Sequence, residues 1–310
     1  MRRKTIMHYS QLIRDYIVPF IGQITLGNLR GWHIQELYTR LTSQGVGIYT
    51  IRKVHKLLHS TLESAVDTGV LGHNPASSAH PPNEPLSEMK TLDETGVSQF
   101  LVTISTHKWE PLFYLACTGG MRRGELLGLQ WSDLDWIKQT ITIQRQLASS
   151  DKNVVKFQSP KTRSSRRTIA IGDRTIQILR AHYDRQQSER LKAGSNWIDH
   201  DLIFCNSKGG PIGASNLGRV FHRLLKIAGL PQLRFHDLRH TSASLMLNNG
   251  IAPIVVSKRL GHLKTSTTFD VYGHLFPSMQ SEAAAKIEEL ITPENCTKLH
   301  QTTPELHRGQ

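Results

Sequence analysis

A proline-rich stretch divides the chain into two segments of different character. Residues 76–89 contain three prolines among small polar residues. Proline lacks a backbone N–H and fixes one backbone dihedral, so this composition is typical of a linker rather than of a helix or strand. At 310 residues the chain is long enough for two domains, each with a buried core. We therefore predict domains over 1–80 and 91–292, a linker over 81–90, and a disordered tail over 293–310.

The segment before the linker reads as a set of helices. Between residues 51 and 66 apolar side chains recur at intervals of three and four residues, which places them on one face of a helix. Gly69 ends this helix, and a turn at 45–50 separates it from an earlier helix that begins near residue 33. We therefore expect a small helical domain here.

The segment after the linker mixes helices with short strands. Alternating residues predict three strands that form one small sheet, and these lie at 141–145, 154–157 and 168–171. The first helix is expected to open at Thr91, where Glu94 completes a capping-box pattern. Further helices are predicted at 111–117, 173–190, 214–228, 237–248, 253–260 and 281–291. The expected fold is mainly α with a small antiparallel β-sheet.

The charge balance favours a polyanionic partner. The formal net charge is +13 and the isoelectric point is about 9.8, which is typical of proteins that bind nucleic acid. Residues 1–80 hold 9 basic against 4 acidic side chains, so both predicted domains carry part of the excess. On charge alone, the alternative is a basic protein without such a partner.

Cysteine usage and the N-terminus indicate a cytoplasmic protein. The three cysteines are widely spaced, which argues against a disulfide framework and against a zinc finger. The N-terminus is basic but lacks the apolar segment of a secretory signal, and no apolar run reaches the roughly 18 residues of a membrane span. A reducing compartment fits these features best.

Four short motifs contain the side chain types that break a phosphodiester without a metal ion. In chain order they are Thr118-Gly119-Gly120-Met121-Arg122-Arg123-Gly124-Glu125, His236-Asp237-Leu238-Arg239, Leu260-Gly261-His262 and Val271-Tyr272-Gly273-His274. A guanidinium donates two parallel hydrogen bonds to phosphoryl oxygens and keeps its charge, so arginine suits the charge that develops in phosphoryl transfer. Histidine can donate or shuttle protons, and a tyrosine can attack phosphorus where nearby cations favour its phenolate.

These motifs and their order resemble those of the tyrosine recombinases, the phage integrase family, over nearly the whole chain. The resemblance implies an N-terminal helical core-binding domain of the SAM-like type and a mixed α/β catalytic domain, which grip DNA from two sides as a C-shaped clamp. Many members of this family carry a further N-terminal domain that binds arm-type sites. We expect this chain to start after that domain, as a minimal enzyme or a truncated gene product.

The family pattern implies roles for individual residues of this chain. The implied catalytic set is Arg122, Lys161, His236, Arg239, His262 and the nucleophile Tyr272. Lys161 would protonate the leaving 5′-oxygen. Glu125 and His240 are expected to support this set, the first by orienting Arg122. Arg122, rather than its neighbour Arg123, aligns with the catalytic arginine of the family.

The implied reaction is site-specific recombination. Tyr272 would form a 3′-phosphotyrosyl bond, and strand exchange through a Holliday junction would integrate or excise a mobile element. Because the phosphotyrosyl bond retains the phosphodiester energy, no ATP is needed, and no metal ion or other cofactor is implied. The implied partners are DNA recombination sites, a homotetramer held by the C-terminal helix, and an accessory DNA-bending or directionality factor. Docking of that helix onto its own domain is the alternative.

Other interpretations of the same residues remain open. Arg163, Arg166 and Arg167 either contact DNA phosphates or form a solvated basic turn. A metal cluster could involve four histidines: His236, His240, His262 and His274. The spacing of His236 and His240 suits zinc, but the neighbouring arginines repel a cation. A type IB topoisomerase uses the same chemistry to relax DNA. A DNA-binding regulator could have kept the clamp and lost catalysis, although the presence of all six expected residues argues against such decay.

Overall fold

The computed structural model describes residues 3–84, 90–151, 154–158, 166–262, 284–285 and 287–288. The chain divides into two compact units, Met1–Glu88 and Met89–Gln310. This division falls inside the stretch that the sequence marks as a linker. Among the described residues, no helix combines the length and the apolar character needed to cross a lipid bilayer.

The N-terminal unit is built from helices packed on one apolar core. Its helices are α1 (Arg3–Leu12), α2 (Val18–Ile21), α3 (Gly31–Ser43) and α4 (Ile48–Asp67). The apolar stripe predicted for the longest helix is present, since four residues of α4 are buried: Ile51, Val54, Leu58 and Leu62. They pack in one cluster with the buried residues of α3, which are Ile34, Leu37, Tyr38 and Leu41.

The C-terminal unit surrounds a central helix, α6. Its helices are α5 (Glu94–Ile104), α6 (Glu110–Gly119), α7 (Arg123–Leu126), α8 (Asp173–Ala193), α9 (Ala214–Ile227), α10 (Asp237–Asn248) and α11 (Pro253–Leu260). Most of α6 is buried, because its apolar residues are not confined to one stripe. Its Phe113 packs against Phe100, Phe221 and Phe235, with ring centroids 5.6, 5.8 and 6.1 Å away. The end of α6 is therefore fixed in the core, and the turn that follows it carries Arg122.

The strands form two small antiparallel sheets, not the one sheet predicted. One sheet contains β1 (Leu134–Asp135), β2 (Thr140–Ile143) and β5 (Arg167–Ala170), in the order β1-β2-β5. The other pairs β3 (Gln146–Asp151) with β4 (Val154–Gln158). The prediction missed β3 because that segment is rich in small polar residues, which are poor strand formers. Without β3, the prediction gave β4 the wrong partner.

Helix α5 starts later than predicted. Its N-cap is Asp93, whose carboxylate accepts a hydrogen bond from the backbone N–H of Gly96 at 2.7 Å. A carboxylate at this position satisfies one of the free amides of the first helical turn. The capping box predicted at Thr91 is therefore wrong.

The predicted fold class, mainly α with a small antiparallel β component, is confirmed. Of the helix predicted over 281–291, the structure describes residues 284–285 and 287–288, which are helical and exposed. The tail predicted over 293–310 lies outside the described residues.

Candidate active site

The turn after α6 presents Arg122 to the solvent-accessible side of the C-terminal unit. Gly120 ends α6 in the left-handed region, at φ +58°, where a residue with a Cβ is strained. Arg122 then takes an extended conformation before α7 begins at Arg123. The Arg122 side chain is 35% exposed, so a ligand can reach its guanidinium group. Arg123 is exposed as well.

Glu125 fixes the orientation of Arg122. Its carboxylate accepts a hydrogen bond from Arg122 Nη1 at 2.7 Å and another from the Arg122 backbone N–H at 3.0 Å. A third comes from Arg167 Nη2 at 2.9 Å. Burial by itself raises the pKa of Glu125, but the charges and hydrogen bonds of Arg167 and Arg122 outweigh burial and hold that pKa below its ordinary value. The carboxylate is therefore ionised and keeps both guanidinium groups in place.

Arg239 approaches the same turn from α10. It lies in the first turn of that helix, three residues after the N-cap His236, and its side chain is buried. Its Nη1 donates a 2.8 Å hydrogen bond to the Gly120 carbonyl. The start of α10 is itself fixed by Asp237, whose carboxylate accepts hydrogen bonds from the backbone and side chain of Arg234. Arg239 thus joins the start of α10 to the turn after α6.

The end of α11 forms a third side of the site. Gly261 caps this helix in the left-handed region, at φ +70°. Its carbonyl accepts a hydrogen bond from Arg122 Nη2 at 3.2 Å. His262 comes next, half-buried, and its backbone N–H still donates to the Ser257 carbonyl at 3.1 Å. The backbone of His262 is therefore fixed by the last turn of α11.

Three histidines stand in the positive field of these arginines. The pKa of His236 and of His262 falls to about 4, first because both are partly buried and then because nearby cationic groups, Arg239 and Arg122 among them, disfavour the protonated ring. Burial also lowers the pKa of His240, whose ring centroid lies 5.3 Å from that of His236. The rings of His236 and His262 are therefore neutral at pH 7, and a neutral imidazole still donates one hydrogen bond and accepts another.

Five predicted site residues remain, and the structure describes two of them, Arg166 and Arg167. Outside the described residues lie Lys161, Arg163 and Tyr272. Arg166 is exposed, which suits either a phosphate contact or a solvated turn. Arg167 differs: its side chain is 6% exposed and donates to Glu125 and to the Arg259 carbonyl. A buried side chain bound in this way fits neither interpretation, so the prediction for Arg167 is corrected.

Sequence reasoning missed Arg259, in the last turn of α11. Its Nη1 donates to the Ala170 carbonyl at 3.0 Å, and its Nη2 donates to the Thr118 carbonyl at 3.1 Å. It therefore links α11 to β5 and to α6. The sequence gives no signal for this role, because Lys258 beside it is equally basic and the helix dipole favours any cation in a last turn.

A metal centre finds no support in the part of the chain that the structure describes. There, no group of three or more histidine, cysteine, aspartate or glutamate side chains is arranged to hold an ion. Of the four histidines of the zinc alternative, the three that the structure describes, His236, His240 and His262, do not form such a group. His274 lies outside the described residues.

Known proteins identify the family. A family model described as the phage integrase family matches residues 90–279, a range that includes every site residue named above. A tyrosine recombinase XerC-like protein of Caldanaerobacter subterraneus subsp. tengcongensis is 32% identical, over 94% of this chain and 80% of its own length. The ICEBs1 integrase of Bacillus subtilis is 26% identical, over 90% of this chain and 76% of its own length. The resemblance predicted from the four motifs is thereby confirmed.

Solved structures share the fold. The Tn1549 transposon integrase, solved in complex with a circular intermediate DNA, has a TM-score of 0.79 at 20% identity, covering 92% of this chain and 94% of that chain. The XerH site-specific recombinase bound to a palindromic difH substrate has a TM-score of 0.64 at 21% identity, covering 92% of this chain and 80% of that chain. At these identities the likeness concerns the fold alone.

Proposed function

The chain belongs to the phage integrase family and is a tyrosine recombinase, and we propose that it cuts and rejoins DNA at paired recombination sites with Tyr272 as nucleophile. The observation that carries this proposal is that Arg122, Arg239 and His262 meet at one site from three separate segments. Arg122 Nη2 donates to the carbonyl of Gly261, the residue before His262, at 3.2 Å. Burial, and then the charges of both arginines, lower the pKa of His262. A site of this composition suits a phosphate group.

In the proposed reaction, the two arginines bind the non-bridging oxygens of the scissile phosphate. Negative charge on these oxygens grows in the five-coordinate transition state. Guanidinium groups already held by Glu125 and by the Gly120 carbonyl stabilise that charge without reorganising. His262, neutral at pH 7, donates its ring N–H to one of the same oxygens, and His236 and His240 border the site.

Bond exchange at phosphorus needs a nucleophile and an acid. As the Tyr272 oxygen attacks phosphorus, its proton passes to a neutral histidine of the site, a 3′-phosphotyrosyl bond forms, and the bond to the 5′-oxygen breaks. Lys161 gives a proton to that oxygen, which leaves as a 5′-hydroxyl. A 5′-hydroxyl from another strand then displaces Tyr272 by the reverse steps. Since the phosphodiester energy is kept in the phosphotyrosyl bond, the cycle requires no ATP. No step of the cycle uses a metal ion.

Two rounds of this exchange, with a Holliday junction between them, integrate or excise a mobile element. We place four copies of the chain on paired sites, joined through the C-terminal helix, with an accessory DNA-bending or directionality factor.

The substrate is genomic DNA, and the described cysteines, Cys117 and Cys205, are free thiols. Both features support a cytoplasmic location.

A concave surface of the N-terminal unit supports a second DNA contact. It encloses about 810 Å³, and its lining includes Tyr49, Arg52, Lys53 and Lys56. Lys53 Nζ lies 4.4 Å from the ring centroid of Tyr49, a largely exposed side chain. Ammonium and guanidinium groups bind DNA phosphates in any sequence, and such contacts position a protein on the duplex. We assign this surface to the DNA backbone.

Replacement of the proposed nucleophile tests the function. Sequencing of the DNA that flanks the gene first locates the recombination site, which is expected as a direct repeat. The substrate is a duplex that contains this repeat, and covalent complexes are detected by their resistance to SDS. Tyr272→Phe should bind this duplex with unchanged Kd and form no covalent complex, because only the phenol oxygen is removed. Tyr183→Phe, which removes a phenol oxygen elsewhere in the C-terminal unit, should react like the unaltered protein. A persistent covalent complex in Tyr272→Phe would exclude this residue as nucleophile.

A plasmid assay separates recombination from relaxation. A supercoiled plasmid with two direct repeats should yield two circles, and a plasmid with one repeat should yield no such product. Relaxation of both plasmids without a recombinant product would favour the topoisomerase alternative instead.

A further inference from the structure

A side chain from β5 caps the end of α11. An α-helix leaves its last four carbonyl groups without partners in the helix. The Ser257 and Lys258 carbonyls accept the backbone N–H of Gly261 at 2.9 and 3.1 Å. The Arg259 carbonyl accepts Nε of Arg167 at 2.6 Å. A cation at this end of a helix is also favoured by the helix dipole, so Arg167 contributes to the cap.

Arg259 makes the reciprocal contacts. Its guanidinium donates to the Ala170 carbonyl at the end of β5 and to the Thr118 carbonyl in α6, at 3.0 and 3.1 Å. The planar fork of arginine allows one group to reach two segments in fixed directions. Burial, followed by the charge of Arg167, lowers the pKa of Arg259, but an arginine keeps its charge in proteins. Each of the two arginines therefore holds the backbone of the element that carries the other.

Gly261 packs directly against the Arg167 side chain. A Cβ at this position would lie 2.9 Å from Nη1 of Arg167 and 3.1 Å from its Cδ. The carbonyl of the same glycine binds Arg122, and His262 is the next residue. The place where α11 ends therefore sets the position of both Arg122 and His262.

We propose that Arg167 and Arg259 form a reciprocal brace that sets the spacing of Arg122 and His262 around the scissile phosphate. Arg167 and Arg259 are therefore positioning residues for strand cleavage. The inference rests on the proposed function, since it concerns the same site. The brace reaches Arg122 by two routes: through the shared carboxylate of Glu125, and through the end of α11. Neither route requires Arg167 to touch DNA.

Single-turnover cleavage by Arg259→Lys and Arg167→Lys in the full chain tests the brace. Lysine keeps the charge, but one ammonium group cannot reproduce the directed contacts of the fork. The probe is the duplex with the direct repeat, and the covalent complex is followed in time. The rate constant should fall about 100-fold, as expected for a displaced catalytic group, while the Kd for the duplex stays unchanged. Arg190→Lys, which alters a half-exposed pair with Asp199, is the matched control and should react at the unaltered rate.

The kinetic readout separates positioning from mere stability. Partial unfolding lowers the amplitude of the reaction, because fewer molecules are competent, whereas a misplaced group lowers the rate constant of those that are folded. A reduced amplitude at an unaltered rate constant would show that the two arginines only stabilise the fold, and would overturn the brace. Full activity in both lysine variants would also overturn the brace. If the unaltered protein itself forms no covalent complex, the proposed function fails, and the brace fails with it.

Discussion

At the scale of single residues, Glu125 lies between two guanidinium groups with its side chain 2% exposed. A buried charge is costly unless it is paired and hydrogen-bonded. Here Arg122 and Arg167 supply both the charge and three hydrogen bonds. The pairing also has a benefit for the site, because one carboxylate allows two cations to stand close together while the Arg122 side chain stays accessible. A positive site for phosphate is thus organised around one negative residue.

Removal of that charge is expected to destabilise the C-terminal unit. Glu125→Gln keeps the shape of the side chain but leaves Arg122 and Arg167 without their counter-ion. Breaking a buried pair by removing one partner costs about 3–5 kcal/mol, so the free energy of unfolding should fall by roughly that amount. Urea unfolding followed by tryptophan fluorescence measures it, since four of the five tryptophans lie in this unit.

An exposed ion pair provides the control for this measurement. Asp199→Asn breaks a pair in which both side chains are 49% exposed, and such pairs contribute about 0–1 kcal/mol. A loss in Glu125→Gln no larger than in Asp199→Asn would mean that the buried carboxylate does not organise the site.

At the scale of elements, some features of the fold and site could be predicted from the sequence. Helix α4 was predictable because its apolar spacing is local information. The residues of the four motifs were predictable because each motif is short and continuous. The pairing of β4 with β3 was not, because it depends on a polar segment without strand propensity. The buried position of the Arg167 side chain could not be predicted either, because its hydrogen-bond partners, Glu125 and Arg259, lie 42 and 92 residues away in the chain.

The turn between α6 and α7 requires glycine at position 120. Its φ is +58°, and a Cβ would lie 2.6 Å from Cδ2 of Leu260, at the end of α11. Gly120→Ala should therefore lower the free energy of unfolding by about 1–3 kcal/mol. It should also slow cleavage, because the Gly120 carbonyl holds Arg239. Urea unfolding and single-turnover cleavage measure the two effects.

The same substitution inside α9 serves as the control for Gly120→Ala. Gly218 lies within this helix, and a Cβ there would meet no atom within 4 Å. Gly218→Ala should raise stability by about 0.5–1 kcal/mol, because alanine loses less backbone entropy in a helix. Equal effects at the two glycines would contradict the requirement at position 120.

At the scale of the whole molecule, neutral histidines with lowered pKa values make stability depend on pH. The pKa of His182 falls to about 4, mainly because of burial, as do those of His236 and His262. In the unfolded chain a histidine has a pKa of about 6.5. Between these two values the unfolded state binds protons that the folded state does not. The contribution of these histidines to the free energy of unfolding is therefore fully present above about pH 6.5 and is lost as the pH falls towards 4.

Thermal unfolding between pH 7 and pH 5 measures this dependence. The Tm should fall on acidification, and His182→Gln should make the fall smaller, because one of the proton-linked groups is removed. A Tm that stays constant or rises from pH 7 to pH 5 would contradict the neutral state of the histidines.

Mapping of the covalent complex shows whether the phosphotyrosyl bond forms at Tyr272, on which the proposed mechanism depends. The trapped complex is digested with nuclease and trypsin, and the peptide that carries a nucleotide is sequenced by mass spectrometry. Cleavage after Lys264 and Lys286 gives a peptide in which Tyr272 is the only tyrosine. We predict that this peptide carries the nucleotide and that fragmentation places it on Tyr272. A nucleotide on any other tyrosine, or on a serine of the same peptide, would contradict the mechanism.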